Sequence, residues 1–167
     1  FLSYMPSHAG ELPPRSAGDP DAAGRQHRLE EIVPIEPRRA YGMHKVLDVL
    51  FDRDSVFELK PLLDRSVITA LARLDGRPVG VMASNPMHSA GALRLGACHK
   101  MTSFIVMCDS FHIPIVTLCD TPGFFVGRKA EEGGIPGKIV TQWTALHQAS
   151  VPRVCVVLRK EIGRAHV

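Results

Sequence analysis

No apolar run in this 167-residue chain approaches the roughly 20 residues that a membrane-spanning helix needs, so no membrane span is expected. Its first residues do not combine a basic head with a long apolar middle, as a secretory signal would. Aromatic residues are scarce, at 6%, with a single tryptophan, Trp143, read as core. The arginines are scattered and carry no interleaved aromatics, so the net charge of +3 does not point to nucleic acid. The four cysteines, Cys98, Cys108, Cys119 and Cys155, form no CxxC and no metal-ligand spacing. They lie in or beside apolar segments and read as small buried hydrophobes in a reducing compartment. The eight histidines include neither HxH nor HExxH, which argues against a metal site. His88, His99 and His112 read as surface or helix-end residues. No GxSxG elbow is present, excluding a serine hydrolase of that type. Gly134-Ile135-Pro136-Gly137-Lys138 is not a phosphate loop, because Ile139 stands where Ser or Thr would hold magnesium. Cys119 abuts Asp120, whose carboxylate disfavours a thiolate nucleophile.

What the chain does contain is a short apolar run that ends in a glycine-bearing turn, Ile113 to Gly127, IPIVTLCDTPGFFVG. Ile113, Ile115, Val116, Leu118 and Cys119 suit a strand covered on both faces, which reads as a continuous apolar run. Pro122 and Gly123 stop the ladder and force a turn. Turns at the carboxyl ends of parallel strands are where open α/β sheets bind ligands, although an ordinary strand-to-helix loop reads the same way. A second turn of this kind runs from Asn85-Pro86 to Gly91. Neither turn holds a good general base, which suggests stabilisation of an anion by backbone amides.

Around these turns the pattern is strand, helix, strand, helix, strand. Met43, Val46, Leu47 and Leu50 recur at helical spacing. Val56 to Lys60 and Val67 to Leu74 read as strands, and Asp75-Gly76 as the hairpin turn into Val79 to Ala83. Ala97, Met101, Phe104, Ile105 and Cys108 share one helix face. A second helix is expected from about Gly137 to Ala149 with Ile139, Trp143 and Leu146 inward, then a strand from Val154 to Leu158. The succession predicts parallel later strands with an antiparallel hairpin in front. Upstream, His8 to Arg28 is rich in Pro, Gly, Ala and charge and reads as a surface linker. Glu30 to Pro37 is expected to be extended, since Pro34 and Pro37 bias their predecessors away from the helix.

DGRPVGVMASNP, GACHKMTSFIVMCDSFHIP, CDTPGFFVG and VPRVCVVLRK together resemble the C-terminal half of the carboxyltransferase (beta) subunit of biotin-dependent acyl-CoA carboxylases, the class that includes propionyl-CoA carboxylase beta chains. The resemblance runs from Phe1 to Lys160. It implies an α/β crotonase-like (ClpP/crotonase) fold of stacked ββα units, incomplete at the C-terminus. It divides the chain into the end of a preceding carboxyltransferase domain at 1–7, a linker at 8–37 and the first part of a C-terminal domain at 38–160. The implied reaction passes a carboxyl group from carboxybiotin, presented on a separate carrier, to the α-carbon of acetyl- or propionyl-CoA. Biotin itself takes the α-proton, and two oxyanion holes hold the reacting oxygens. The implied partners are acyl-CoA, the biotin carrier or biotin carboxylase subunit, and further copies of the chain in a homo-oligomer. The implied location is a bacterial cytoplasm, or the mitochondrial matrix of a eukaryote. Carried over by motif, Gly123, Phe124 and Phe125 supply an oxyanion-hole amide, Gly127 shapes the loop, and Asn85 and Pro86 line the wall. Arg128 either meets an anionic group or is a solvated surface arginine. The alternatives are the decarboxylating relative, the methylmalonyl-CoA decarboxylase subunit, and a non-catalytic module that binds a biotin carrier.

The last seven residues, 161–167, depart from the family, which continues after Arg159-Lys160 into a Tyr-Gly-x-Gly type segment. Ile162 to Val167 matches the translation of a common sequencing-library adapter, so a non-native tail is expected there, with a divergent native tail as the alternative. With Phe1 in place of an initiator methionine, the chain reads as a fragment, inactive by itself.

Overall fold

The computed structural model describes residues 1–36 and 38–160, Lys129 through its backbone alone. Pro37 and the tail expected at 161–167 lie outside the described residues. In chain order the elements are α1 (Ala22–Arg25), α2 (Leu29–Ile32), α3 (Met43–Leu50), β1 (Phe57–Leu59), β2 (Val67–Leu74), β3 (Arg77–Ser84), α4 (Leu95–Ser110), β4 (Ile115–Cys119), α5 (Arg128–Glu132), α6 (Ile135–Gln148) and β5 (Arg153–Val157).

One five-stranded sheet runs in the order β1-β2-β3-β4-β5. The first three strands are antiparallel neighbours, and β3, β4 and β5 are parallel, as expected. Leu74 pairs with Arg77 across the β2–β3 hairpin, whose two turn residues, Asp75 and Gly76, both have positive φ (52° and 72°). That is the backbone a two-residue hairpin turn requires, and the Asp-Gly pair accommodates it.

Both faces of the sheet are covered. On one, Val67, Leu71, Met82 and Ile115 pack with Ala97, Met101, Phe104 and Ile105 of α4. On the other, Ile68, Ala70, Val79, Val81 and Leu118 pack with Met43, Val46 and Leu47 of α3. Alternate residues of β2 and β3 thus feed opposite cores, which is why both strands read as unbroken apolar runs.

Three expectations are corrected. Glu30 to Ile32 is a helical turn, and the chain becomes extended only at Val33, directly before Pro34. In α6 Ile135 and Gln142 are buried and the expected Ile139 and Leu146 half-buried on the same face, while Trp143 is 47% exposed. Cys155 is exposed, whereas Cys98, Cys108 and Cys119 are buried, and none of the four is in a disulfide. Burial, seconded by Asp109, pushes the Cys108 thiol up to about 12. In native protein at mildly alkaline pH, iodoacetamide is therefore expected to label Cys155 first and Cys108 only on unfolding, as peptide mapping would read. Equal labelling of the two would contradict this packing.

The segment read as a linker is tied to the body. Asp19 accepts a 2.7 Å bond from Arg25 Nη1 and another at 3.0 Å from Arg53 N, and Arg25 Nη2 donates to Phe51 O at 3.1 Å.

Candidate functional site

Strand β4 delivers Asp120 and Thr121, both buried, to the turn Pro122–Gly127. Thr121 organises it. Its hydroxyl donates to Gly91 O at 2.7 Å and accepts from Gly123 N at 3.0 Å. Leu93 N donates to Gly123 O at 2.9 Å, and Phe125 N donates to Leu93 O at 2.8 Å. A parallel bridge pairs Leu93 with Phe124. The two glycine-bearing turns singled out in the sequence are therefore one unit. Gly91 is required where they meet: its φ is +81°, and a Cβ there would stand 2.6 Å from Asp120 O.

These bonds decide which amides of the turn are left without an acceptor among the described residues. Gly123 N and Phe125 N, expected as anion donors, are spent on Thr121 and Leu93 and hold the turn in shape. Val126 and Gly127 come next. Val126 is 83% exposed, and among the described residues neither N–H donates to an acceptor. Gly127 carries a φ of +118°, and no described residue lies within 4 Å of a Cβ built at Gly123 or Gly127. The outer side of the turn is thus open, and Phe125, 48% exposed with the Arg94 guanidinium 5.8 Å from its ring, stands beside it.

The remaining expected residues fall into two groups. Asn85 and Pro86 are buried in the loop after β3. Asn85 Nδ2 donates to Arg65 O at 2.9 Å and its Oδ1 accepts from Met87 N at 3.3 Å, so the side chain braces the wall from behind. Arg128 is a surface residue, its side chain 91% exposed and paired with Glu132 at 2.7 Å.

Beneath the turn lies a network that sequence reasoning missed. Asp120 is fully buried, and its Oδ2 accepts from Arg159 Nε at 3.0 Å and Nη2 at 2.9 Å, while its Oδ1 accepts from Lys160 N at 3.2 Å. Thr121 N donates back to Lys160 O at 3.0 Å. Arg159 Nη1 donates to the carbonyls of Pro34, Glu36 and Arg39, and its guanidinium sits 4.6 Å from the Tyr41 ring centre. Burial first, and then the Asp120 carboxylate, hold the Tyr41 phenol above its ordinary value, with Arg159 opposing. The hydroxyl lies near Asp120 without meeting hydrogen-bond geometry to it. Asp120, satisfied by a guanidinium and an amide, is not placed to act as a base. The signal lay in the motif residues themselves, but their partners are 39 positions away.

A second missed group is Lys100 on α4, fully buried, whose Nζ donates to Val67 O at 2.7 Å with Glu58 at 3.9 Å. Burial lowers its pKa ahead of the opposing pull of Glu58 and Asp64. The folded chain then holds this proton less tightly than the unfolded one, so its contribution to stability rises with pH toward the ordinary lysine value of 10.5. The stability difference between wild type and Lys100→Met is therefore expected to shift in favour of wild type as pH rises, in urea titrations across that range. A difference independent of pH would contradict this.

The sequence matches the carboxyl transferase domain family over residues 1–167. It is 38% identical over 168 residues to the beta4 subunit of a biotin-dependent long chain acyl-coenzyme A carboxylase of Mycobacterium tuberculosis, across 99% of this chain and 32% of that protein. It is 34% identical over 167 residues to the alpha subunit of methylmalonyl-CoA decarboxylase of Propionigenium modestum, across 100% of this chain and 32% of that one. Among solved structures, transcarboxylase 12S, a hexamer seen with hydrolysed methylmalonyl-coenzyme A bound, superposes with a TM-score of 0.89 at 34% identity, over 93% of this chain and 30% of that one. The chain thus spans about a third of the length of the curated relatives it matches. Its architecture is the crotonase-like fold of the carboxyltransferases.

Proposed function

Because the chain belongs to the carboxyl transferase domain family, we propose that it forms one wall of a site that moves a carboxyl group from carboxybiotin to the α-carbon of an acyl-CoA such as acetyl- or propionyl-CoA. The observation that carries this reading is the turn whose Val126 and Gly127 amides have no acceptor among the described residues, which also place no side-chain base beside them. Biotin, presented on its separate carrier, would supply the carboxyl group and the acceptor for the α-proton, and its ureido oxygen is the atom that these amides would hold. The chain's part is to receive such an oxygen. Two adjacent outward amides suit it, since preorganised N–H donors stabilise developing charge without reorganising. Thr121 and Leu93 fix the turn so that these donors do not drift, and Phe125 offers an apolar face that excludes water beside them. Gly123, Phe124 and Phe125 thus shape the oxyanion hole, Gly127 supplies a donor and the room around it, and Asn85 and Pro86 support the wall. Arg128, solvated and paired with Glu132, is assigned no contact in the reaction.

The test is transfer of radiocarbon from a charged biotin carrier to acetyl- or propionyl-CoA by the full-length gene product in its complex. The expected result is labelled malonyl- or methylmalonyl-CoA; no label in either product would overturn the proposal. A second reading, decarboxylation of a malonyl-type thioester with the carboxyl group passing to biotin, is favoured by the decarboxylase relative. Sodium-dependent decarboxylation by the intact complex would select it. The hexameric transcarboxylase neighbour supports a homo-oligomer. Among the described residues no helix is long and apolar enough to cross a membrane.

A further inference from the structure

Two arginines without a part in carboxyl transfer line one cavity. Arg65, just before β2, and Arg94, just before α4, share a space of ≈ 420 Å³ with His88 and Ser89 from the loop after β3. Among the described residues neither arginine side chain is in an ion pair or donates a hydrogen bond. Arg94 has its guanidinium 5.8 Å from the Phe125 ring, and Arg65 engages Asn85 through its carbonyl alone. Arg128 and Arg53, by contrast, stand against Glu132 and Asp21. A guanidinium stays charged at any pH a folded protein meets, so two that line one cavity repel until an anion joins them. Asp64 lines the cavity too, but its oxygens are spent. Oδ1 accepts from Ser66 N at 3.3 Å and from Ser66 Oγ at 2.7 Å, and Oδ2 accepts from Ala97 N at 3.0 Å. The charge of Asp64 also acts on buried Lys100, whose hold on its proton it strengthens.

We infer that this cavity is a phosphate site, with Arg65 and Arg94 as its paired cations and the Ser89 hydroxyl as a further donor. Charge selects the class of ligand. A phosphoryl group carries about −1.5 to −2 near neutral pH, which answers two guanidiniums, whereas a carboxylate would leave one of them unmatched. Its oxygens accept from several directions, and a guanidinium fork meets two of them at once. Ser89 and Ala90 are held at φ of 50° and 52°, a region that residues other than glycine occupy rarely and that recurs at ligand clamps. Arg94 follows Leu93, whose carbonyl holds Phe125 N, so the cavity adjoins the turn without drawing on its amides. The phosphoryl group comes either free from solution or on the coenzyme A of the substrate. The second source rests on the carboxyl-transfer reading; the first does not.

Equilibrium dialysis of the full-length protein against radiolabelled inorganic phosphate tests this. One saturable site is expected, weakened about tenfold in Arg65→Met and in Arg94→Met and unchanged in Arg128→Met. Both arginines are exposed, so the urea midpoints of these variants should match that of wild type. In wild type alone, added potassium chloride should weaken the binding steeply. No saturable binding, binding indifferent to salt, binding unchanged in both arginine variants, or acetate competing as well as phosphate overturns the inference. Coenzyme A then separates the two sources. If it displaces the label, and Arg94→Met raises the KM for the acyl-CoA about tenfold at unchanged kcat, the coenzyme's phosphate is the occupant. If the label stays bound under saturating coenzyme A, free phosphate is the occupant. Failure of the wild type to carboxylate any acyl-CoA would sink the proposed function and leave the phosphate dialysis standing.

Discussion

Replacing Arg159 with methionine is expected to cost about 3–5 kcal/mol of stability, the toll of leaving one partner of a buried ion pair unpaired. The side chain of Arg159 is 7% exposed and that of Asp120 is 0% exposed, so neither charge has water to fall back on. Methionine keeps much of the stem but leaves the Asp120 carboxylate with the Lys160 amide alone. It also strips a donor from the carbonyls of Pro34, Glu36 and Arg39, which untethers the segment before Tyr41 from the end of the sheet. Urea denaturation should show a large fall in midpoint at an unchanged slope. The double variant Asp120→Leu with Arg159→Met should lose less than Arg159→Met alone, because no charge is stranded. A single variant as stable as wild type would mean that the pair is not closed in solution.

The second large effect concerns chemistry rather than stability. Replacing the amide at Val126 by an ester, through incorporation of the α-hydroxy analogue of valine, deletes one N–H and leaves the side chain in place. Carboxyl transfer is expected to slow by about 10²–10³-fold in kcat, the usual consequence of losing one oxyanion donor. Thermal stability should be unaffected, since among the described residues that N–H has no protein acceptor to lose. The same replacement at Phe125 should behave differently, lowering stability because the bond to Leu93 O goes with it. Equal kcat losses at the two positions would argue that the turn acts as a shape and not through a particular donor.

Much of the fold could be read before any coordinates. The Asp75-Gly76 pair marked the hairpin because few residues tolerate two consecutive positive φ angles. The apolar runs at β2, β3 and β4 marked a sheet covered on both faces, and the helix between β3 and β4 marked their parallel pairing. What could not be read depends on distant partners. The helical turn at Leu29–Ile32 is too short to be stable alone, and its segment is held by contacts such as Arg25 with Phe51 O. In α6 the inward stripe runs through buried Ile135 and Gln142 and half-buried Ile139 and Leu146, at spacings of four, three and four. A polar residue in the middle of that stripe shifted the expected inward face to Trp143. The site divides in the same way. The Thr-Pro-Gly-Phe-Phe-Val-Gly run announced an amide-rich turn, but which amides face outward was decided by the Thr121 hydroxyl and by Leu93, roughly thirty residues upstream in the chain.

Amide hydrogen exchange resolved to single residues, with and without biotin, tests the central claim most directly in the full-length protein. Gly123 and Phe125 should exchange slowly in both conditions, whereas Val126 and Gly127 should exchange fast alone and slow on addition of biotin. Fast exchange at Gly123 and Phe125, or biotin protection falling on them and not on Val126 and Gly127, would contradict the account.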